Sequence, residues 1–182
     1  MRMLIVVLFS LMAVQFHADE FVLTSPDIAD GRMIAHAQVY NGYGCQGENI
    51  SPALAWQNEP AGTHSFAVVM HDPDAPRPGG WWHWLVFDIP RSVHALPRGA
   101  GNAGRSLLAP PGSVQSLTSF GPPGYGGPCP PEGHGVHRYV FTVYALDTAR
   151  LSLGRTAPPA DVVSTLKGHV LGAASITALY RR

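Results

Sequence analysis

Glycine and proline set the limits on what this chain can fold into. It holds 20 glycines and 17 prolines among 182 residues, without any repeat. That content demands many turns and fixed loops, as in all-β folds. Between the loops lie three strong strand signals. Ser65 to Met70 reads as a central strand, ended by the prolines of His71-Asp72-Pro73-Asp74-Ala75-Pro76. Trp81 to Ile89 is apolar on both faces, the pattern of a strand covered on both sides. Arg138 to Leu146 is the third core strand.

Weaker signals fill the rest. Phe21-Val22-Leu23, Ala37-Gln38-Val39-Tyr40 and Leu54-Ala55-Trp56 read as short strands. Pro159 to Val170 reads as one helix, with Pro159 in its first turn and Val162, Val163, Leu166 and Val170 at helical spacing. Gly172 then breaks it, and Ala174, Ile176, Ala178 and Tyr180 alternate as a last strand. Phe120 to Gly135 is too rich in glycine and proline for regular structure.

Apolar residues make up 46% of the chain and charged residues 13%. This is a globular composition, and the length favours one domain with a core of its own. Lys+Arg and Asp+Glu balance at 12 each, without a basic run. No footprint for nucleic acid is present.

Arg2 and the apolar run Leu4 to Val14 read as a signal peptide over residues 1–18, with cleavage after Ala18. An uncleaved anchor is the alternative, although the run is short for a span. The expected organisation is therefore a signal peptide followed by one domain, 19–182, in an exported, periplasmic or secreted protein. Two cysteines in such a chain favour a Cys45–Cys129 disulfide over two buried thiols.

Titratable residues gather where strands meet rigid loops. By strand alternation His83 shares a face with Leu85 and Phe87, and His137 shares one with Tyr139 and Phe141. If the two strands are neighbours, both imidazoles project from one end of a sheet, where Asp72 can join them. Imidazole can donate to phosphate or carboxylate, and Asp72 can fix its tautomer or pair with an amine. Glycines at 126 and 127 let backbone N–H groups approach an anion. The bland alternative is that each histidine is a satisfied core group, and spacing alone does not separate the two.

Catalytic readings fare worse. His71, Asp72, His83 and His137 have zinc-ligand chemistry but lack a close-spaced signature. A serine hydrolase would need a G-x-S-x-G elbow, which is missing. Cys129 with His137 could form a thiol nucleophile and base, but a disulfide removes that thiol. We expect no catalysis, no metal and no cofactor.

Several longer motifs occur in order: Asn49-Ile50-Ser51-Pro52-x-Leu54-x-Trp56, Asp72 to Pro76, His83-Trp84, Gly127-Pro128-Cys129-Pro130-Pro131-x-Gly133 and His137-Arg138-Tyr139. In these the chain resembles the phosphatidylethanolamine-binding protein family, in its bacterial Raf kinase inhibitor-like branch, over nearly all of residues 19–182. The resemblance implies a mainly β fold, a large antiparallel sheet packed on a smaller one with few peripheral helices. It implies a pocket for phosphate-like or phosphoethanolamine-type groups, formed by Asp72, His83, His137, Tyr139 and the Gly127-Pro128 loop. Asp74 is expected to brace that loop, with Trp82 as a further support. The chain ends at Arg182 soon after its last expected strand, so the C-terminal helix that closes the pocket in eukaryotic members is not expected. Bacterial relatives imply a homodimer. Protease inhibition elsewhere in the family makes an exported inhibitor or modulator of a protein partner the alternative function.

Overall fold

A computed structural model describes residues 20–102 and 108–182. The expected signal peptide, residues 1–18, lies outside the described residues. Among the described residues, ten strands and one α-helix run in the order β1 (Val22–Thr24), β2 (Asn41–Gly42), β3 (Cys45–Gln46), β4 (Leu54–Gln57), β5 (Ser65–Asp72), β6 (Trp81–Pro90), β7 (Ala95–Leu96), β8 (Val114–Gln115), β9 (His137–Leu146), α1 (Pro159–Lys167) and β10 (Val170–Tyr180).

The large sheet has the order β10-β9-β5-β6-β8, and a three-stranded sheet has the order β1-β4-β7. Every strand pair in both is antiparallel. The fold is thus mainly β, a larger sheet on a smaller one, as the resemblance implies. β5 separates β6 from β9. The two histidine-bearing strands are therefore not neighbours; the Asp72 strand lies between them.

Both faces of the large sheet are covered, which explains its apolar runs. Phe66, Val68 and Met70 of β5 join Leu23, Leu54, Trp56 and Leu96 of the smaller sheet in one core. Ala67 and Val69 join Leu85, Phe87, Val162 and Leu166 in a second core under α1. Each buried aliphatic or aromatic side chain there contributes about 1.5–3 kcal/mol.

Strand alternation fails at one place that matters. Met70 pairs with Trp84 but His71 pairs with Trp82, so β6 has one extra residue, His83, opposite that step. This β-bulge makes the strand switch faces. Leu85 and Phe87 point to the helix side, whereas His83 lines a cavity with Asp72 and Tyr139 on the other side. The expectation that His83 shares a face with Leu85 and Phe87 is corrected by this bulge.

Three local readings also change. Ala37 to Tyr40 is not a strand; residues His36–Gln38 form a 3₁₀ turn. Their neighbours bond to loops instead, with Tyr40 N–H donating to Pro128 O and Asn49 N–H to Val39 O. The helix stops at Lys167, with Gly168 as its cap, and Val170 already pairs with Leu146. Gly172 sits inside β10 at a register shift, where a Cβ would lie 2.7 Å from Pro60 Cγ. It permits a close approach and does not terminate the helix.

Cys45 and Cys129 form a disulfide across 84 positions. Closing so long a loop restricts the unfolded chain and stabilises by about 2–4 kcal/mol. The double substitution Cys45→Ser, Cys129→Ser should lower the unfolding free energy by that amount and steepen the denaturant slope, because the uncrosslinked unfolded chain exposes more surface. Equal midpoints for wild type and variant would show that the crosslink adds nothing.

Candidate functional site

A cavity of about 600 Å³ opens at the end of the large sheet where β5 ends and β6 and β9 begin. Its floor carries Asp72, His83, His137 and Tyr139. All four are buried; Asp72 is 3% exposed, His83 3%, His137 1% and Tyr139 0%.

Asp72 is the last residue of β5, where Pro73 removes the next backbone donor. Its Oδ1 accepts the Asp74 N–H at 2.8 Å, closing a tight turn. Its Oδ2 accepts from His137 Nδ1 at 2.7 Å. His137 Nε2 in turn lies 2.7 Å from Nδ1 of His134, an exposed loop residue that the sequence reading missed. Carboxylate and two imidazoles thus form a continuous chain.

Asp74 lies outside the cavity lining and accepts from Arg138 three times. The backbone N–H and Nε reach Oδ2 at 2.9 Å, and Nη2 reaches Oδ1 at 2.7 Å. These bonds, the Arg138 guanidinium foremost, hold the Asp74 carboxyl down at about 2. They tie the Asp72 loop to the start of β9.

His83 Nδ1 donates to Gly126 O at 2.6 Å, and Gly126 N–H donates back to His83 O at 2.9 Å. A carbonyl only accepts, so this bond fixes the proton on Nδ1 and leaves Nε2 with a lone pair. Burial pushes the imidazole down to about 4, against the smaller opposing effects of the Gly126 carbonyl and Asp72. The expectation that a neutral His83 donates to an anion therefore needs correction: its one N–H is committed to Gly126.

Tyr139 packs edge-on to His83, with ring centroids 5.2 Å apart. Burial first, and Asp72 second, raise its phenol pKa. Its hydroxyl is buried without a hydrogen-bond partner, as is Trp81 Nε1, and both residues line the cavity. Trp81, Phe120 and Tyr43 form aromatic walls, and Arg77 and Arg182 stand among the lining residues. The Arg77 guanidinium sits 4.8 Å from the Trp81 ring centroid, a cation–π contact. The sequence reading placed none of these five among the site residues. Among them only Trp81 had a legible signal, since it is two residues from the bulged His83 on the same strand.

Gly127 and Pro128, expected to line the cavity, are not among its lining residues; Cys129 to Pro131 line it instead. Gly127 N–H donates to Asn49 Oδ1 at 2.7 Å, and a Cβ on Gly127 would fall 2.0 Å from Gln38 O. The Asn49 motif therefore clamps the 125–127 loop that holds His83. Trp82 lies on the opposite face, stacked on His71 with centroids 3.9 Å apart. His71 also bonds Gly79 O at 2.8 Å, so it does not join Asp72, His83 and His137. Among the described residues, no group of three or more metal-ligating side chains is poised around a common point.

Because His83 folds to a pKa of about 4 and unfolds to about 6.5, the unfolded chain binds more protons between those values. This contribution is full above pH 6.5 and is lost as pH falls towards 4, by about 3 kcal/mol in all. Denaturation midpoints should fall over that window, and His83→Gln should flatten the dependence. A wild-type midpoint unchanged from pH 7 to 4.5 would contradict this.

The family model described as phosphatidylethanolamine-binding protein matches residues 24–181. The chain is 46% identical over 158 residues to UPF0098 protein YbhB of Escherichia coli, covering 87% of this chain and 98% of the relative. It is 42% identical over 163 residues to E. coli YbcL, covering 90% and 88%. The crystal structure of YbcL, described as a new member of the mammalian PEBP family, superposes with a TM-score of 0.88 at 41% identity, over 90% of this chain and 99% of that one. A homologue from Chlamydia trachomatis follows at a TM-score of 0.73 and 32% identity, over 89% and 97%. Members of this family are non-catalytic binding proteins, and by sequence and fold alike the chain belongs to the phosphatidylethanolamine-binding protein family.

Proposed function

We propose that this protein binds a small phosphate-like anion, free or as a phosphoethanolamine-type group, in the cavity floored by Asp72, His83, His137 and Tyr139. The observation that carries this reading is a concave site whose floor holds Asp72, His83 and His137 and whose lining includes two arginines. Asp72 and His137 are bonded to each other there and His83 Nδ1 donates to Gly126 O, so the floor is polar and held in place. Arg77 and Arg182 among the lining residues favour an anion. Aromatic walls suit the short organic portion of a headgroup.

We also propose that the protein acts after export. The Cys45–Cys129 bond supports an oxidising compartment, because such bonds seldom persist in reducing cytoplasm. Fractionation of expressing cells, with mass determination of the product, should find it outside the cytoplasm and cut after Ala18.

Adding inorganic phosphate or phosphoethanolamine should move the His83 and His137 ring signals in NMR. His83→Ala should weaken the effect at least tenfold. No shift at millimolar ligand would overturn the anion site.

A further inference from the structure

We infer that the pocket takes its anion in a protonated form, as a phosphomonoester or phosphate monoanion, and discriminates against sulfate and against the phosphodiester of an intact phospholipid. This deepens the proposed anion site and rests on it.

The hydrogen-bond inventory of the floor leads there. His83 offers the cavity only an acceptor, because Nδ1–H is donated to Gly126 O at 2.6 Å. Asp72 is a second acceptor, beside the same cavity and deeply buried. An oxyanion without a proton would face a lone pair and a carboxylate in a desolvated floor. An oxyanion carrying one proton can donate it to His83 Nε2. Its remaining oxygens can face the Arg77 and Arg182 guanidiniums that line the same cavity.

The surrounding charges do not undo this preference. β5 contributes Asp72 and, on its other face, His71. β9 contributes His137, whose Nδ1 is bound to Asp72, and Tyr139. The preceding loop contributes His134, bonded to His137 Nε2. Arg77, Tyr43 and Arg182 complete the lining, and the two guanidiniums attract any anion without distinguishing its protonation state. Burial keeps the His83 imidazole neutral down to about pH 4, so the protein does not itself supply the shared proton near neutrality.

The ligand must therefore bring it. A phosphomonoester has a second pKa near 6 and carries such a proton over part of the physiological range. Sulfate and phosphodiesters have none to give near neutrality.

The test is calorimetric titration of the purified protein with phosphoethanolamine, inorganic phosphate, sulfate and glycerophosphoethanolamine, a diester, between pH 5.5 and 8.5. Phosphoethanolamine affinity should be level below about pH 6 and fall roughly tenfold per unit well above it. At pH 7, sulfate and the diester should bind at least tenfold more weakly than phosphoethanolamine. In ¹⁵N NMR the His83 Nε2 resonance should leave its unprotonated position when phosphoethanolamine binds. A flat phosphoethanolamine profile, a diester or sulfate bound as tightly, or an unmoved Nε2 in the bound state would each overturn the inference. If none of the four probes binds at any pH, the anion site itself fails and this inference falls with it.

Discussion

A carboxylate at the buried end of a central strand has lost most of its hydration, and something in the fold has to replace it. Asp72 is in that position, and it accepts from His137 Nδ1 and from the Asp74 backbone N–H. His137 is held by His134 on its other nitrogen, and Asp74 is held by Arg138. Removing one partner from such a buried pair typically costs about 3–5 kcal/mol, because the other is left uncompensated. The end of β5, the Asp72 loop and the start of β9 are consequently one unit. The floor of the cavity inherits its rigidity from that unit.

The second determinant is the bulge at His83. One extra residue in β6 turns the imidazole from the helix-covered face towards Asp72 and Tyr139. The same bulge leaves Trp82 behind, stacked on His71. The clamp between His83 and Gly126, made in both directions, then fixes the tautomer. A single backbone irregularity and a single carbonyl therefore decide which way this histidine faces and leave its Nε2 an acceptor.

Distant loops complete the wall. Asn49 holds Gly127 through one side-chain oxygen, and Tyr40 N–H bonds Pro128 O. The Cys45–Cys129 bond fastens the β2–β3 hairpin, which carries Tyr43, to the same rim. Tyr43 stacks on Phe120 with centroids 5.9 Å apart although the residue is 65% exposed. None of these contacts is regular secondary structure. The glycine- and proline-rich loops are ordered by side-chain hydrogen bonds, a crosslink and close backbone approach.

The residue pattern by itself determined the β class, the three core strands Ser65 to Met70, Trp81 to Ile89 and Arg138 to Leu146, the helix at Pro159 and the Cys45–Cys129 disulfide. Those properties follow from local terms: apolar runs of strand length, proline and glycine boundaries, paired cysteines and ordered motifs. It did not determine which face His83 occupies, because a bulge is a cross-strand register effect and depends on the partner, β5. Nor did it show β5 lying between β6 and β9, the His134 link, or the roles of Phe120, Tyr43, Arg77 and Arg182. Those residues meet the site only through long-range packing, and no local signal marks them. The protonation of His83 belongs to the same class. A sequence shows that an imidazole is present, whereas the nitrogen it offers is decided by the tertiary neighbour that takes the other.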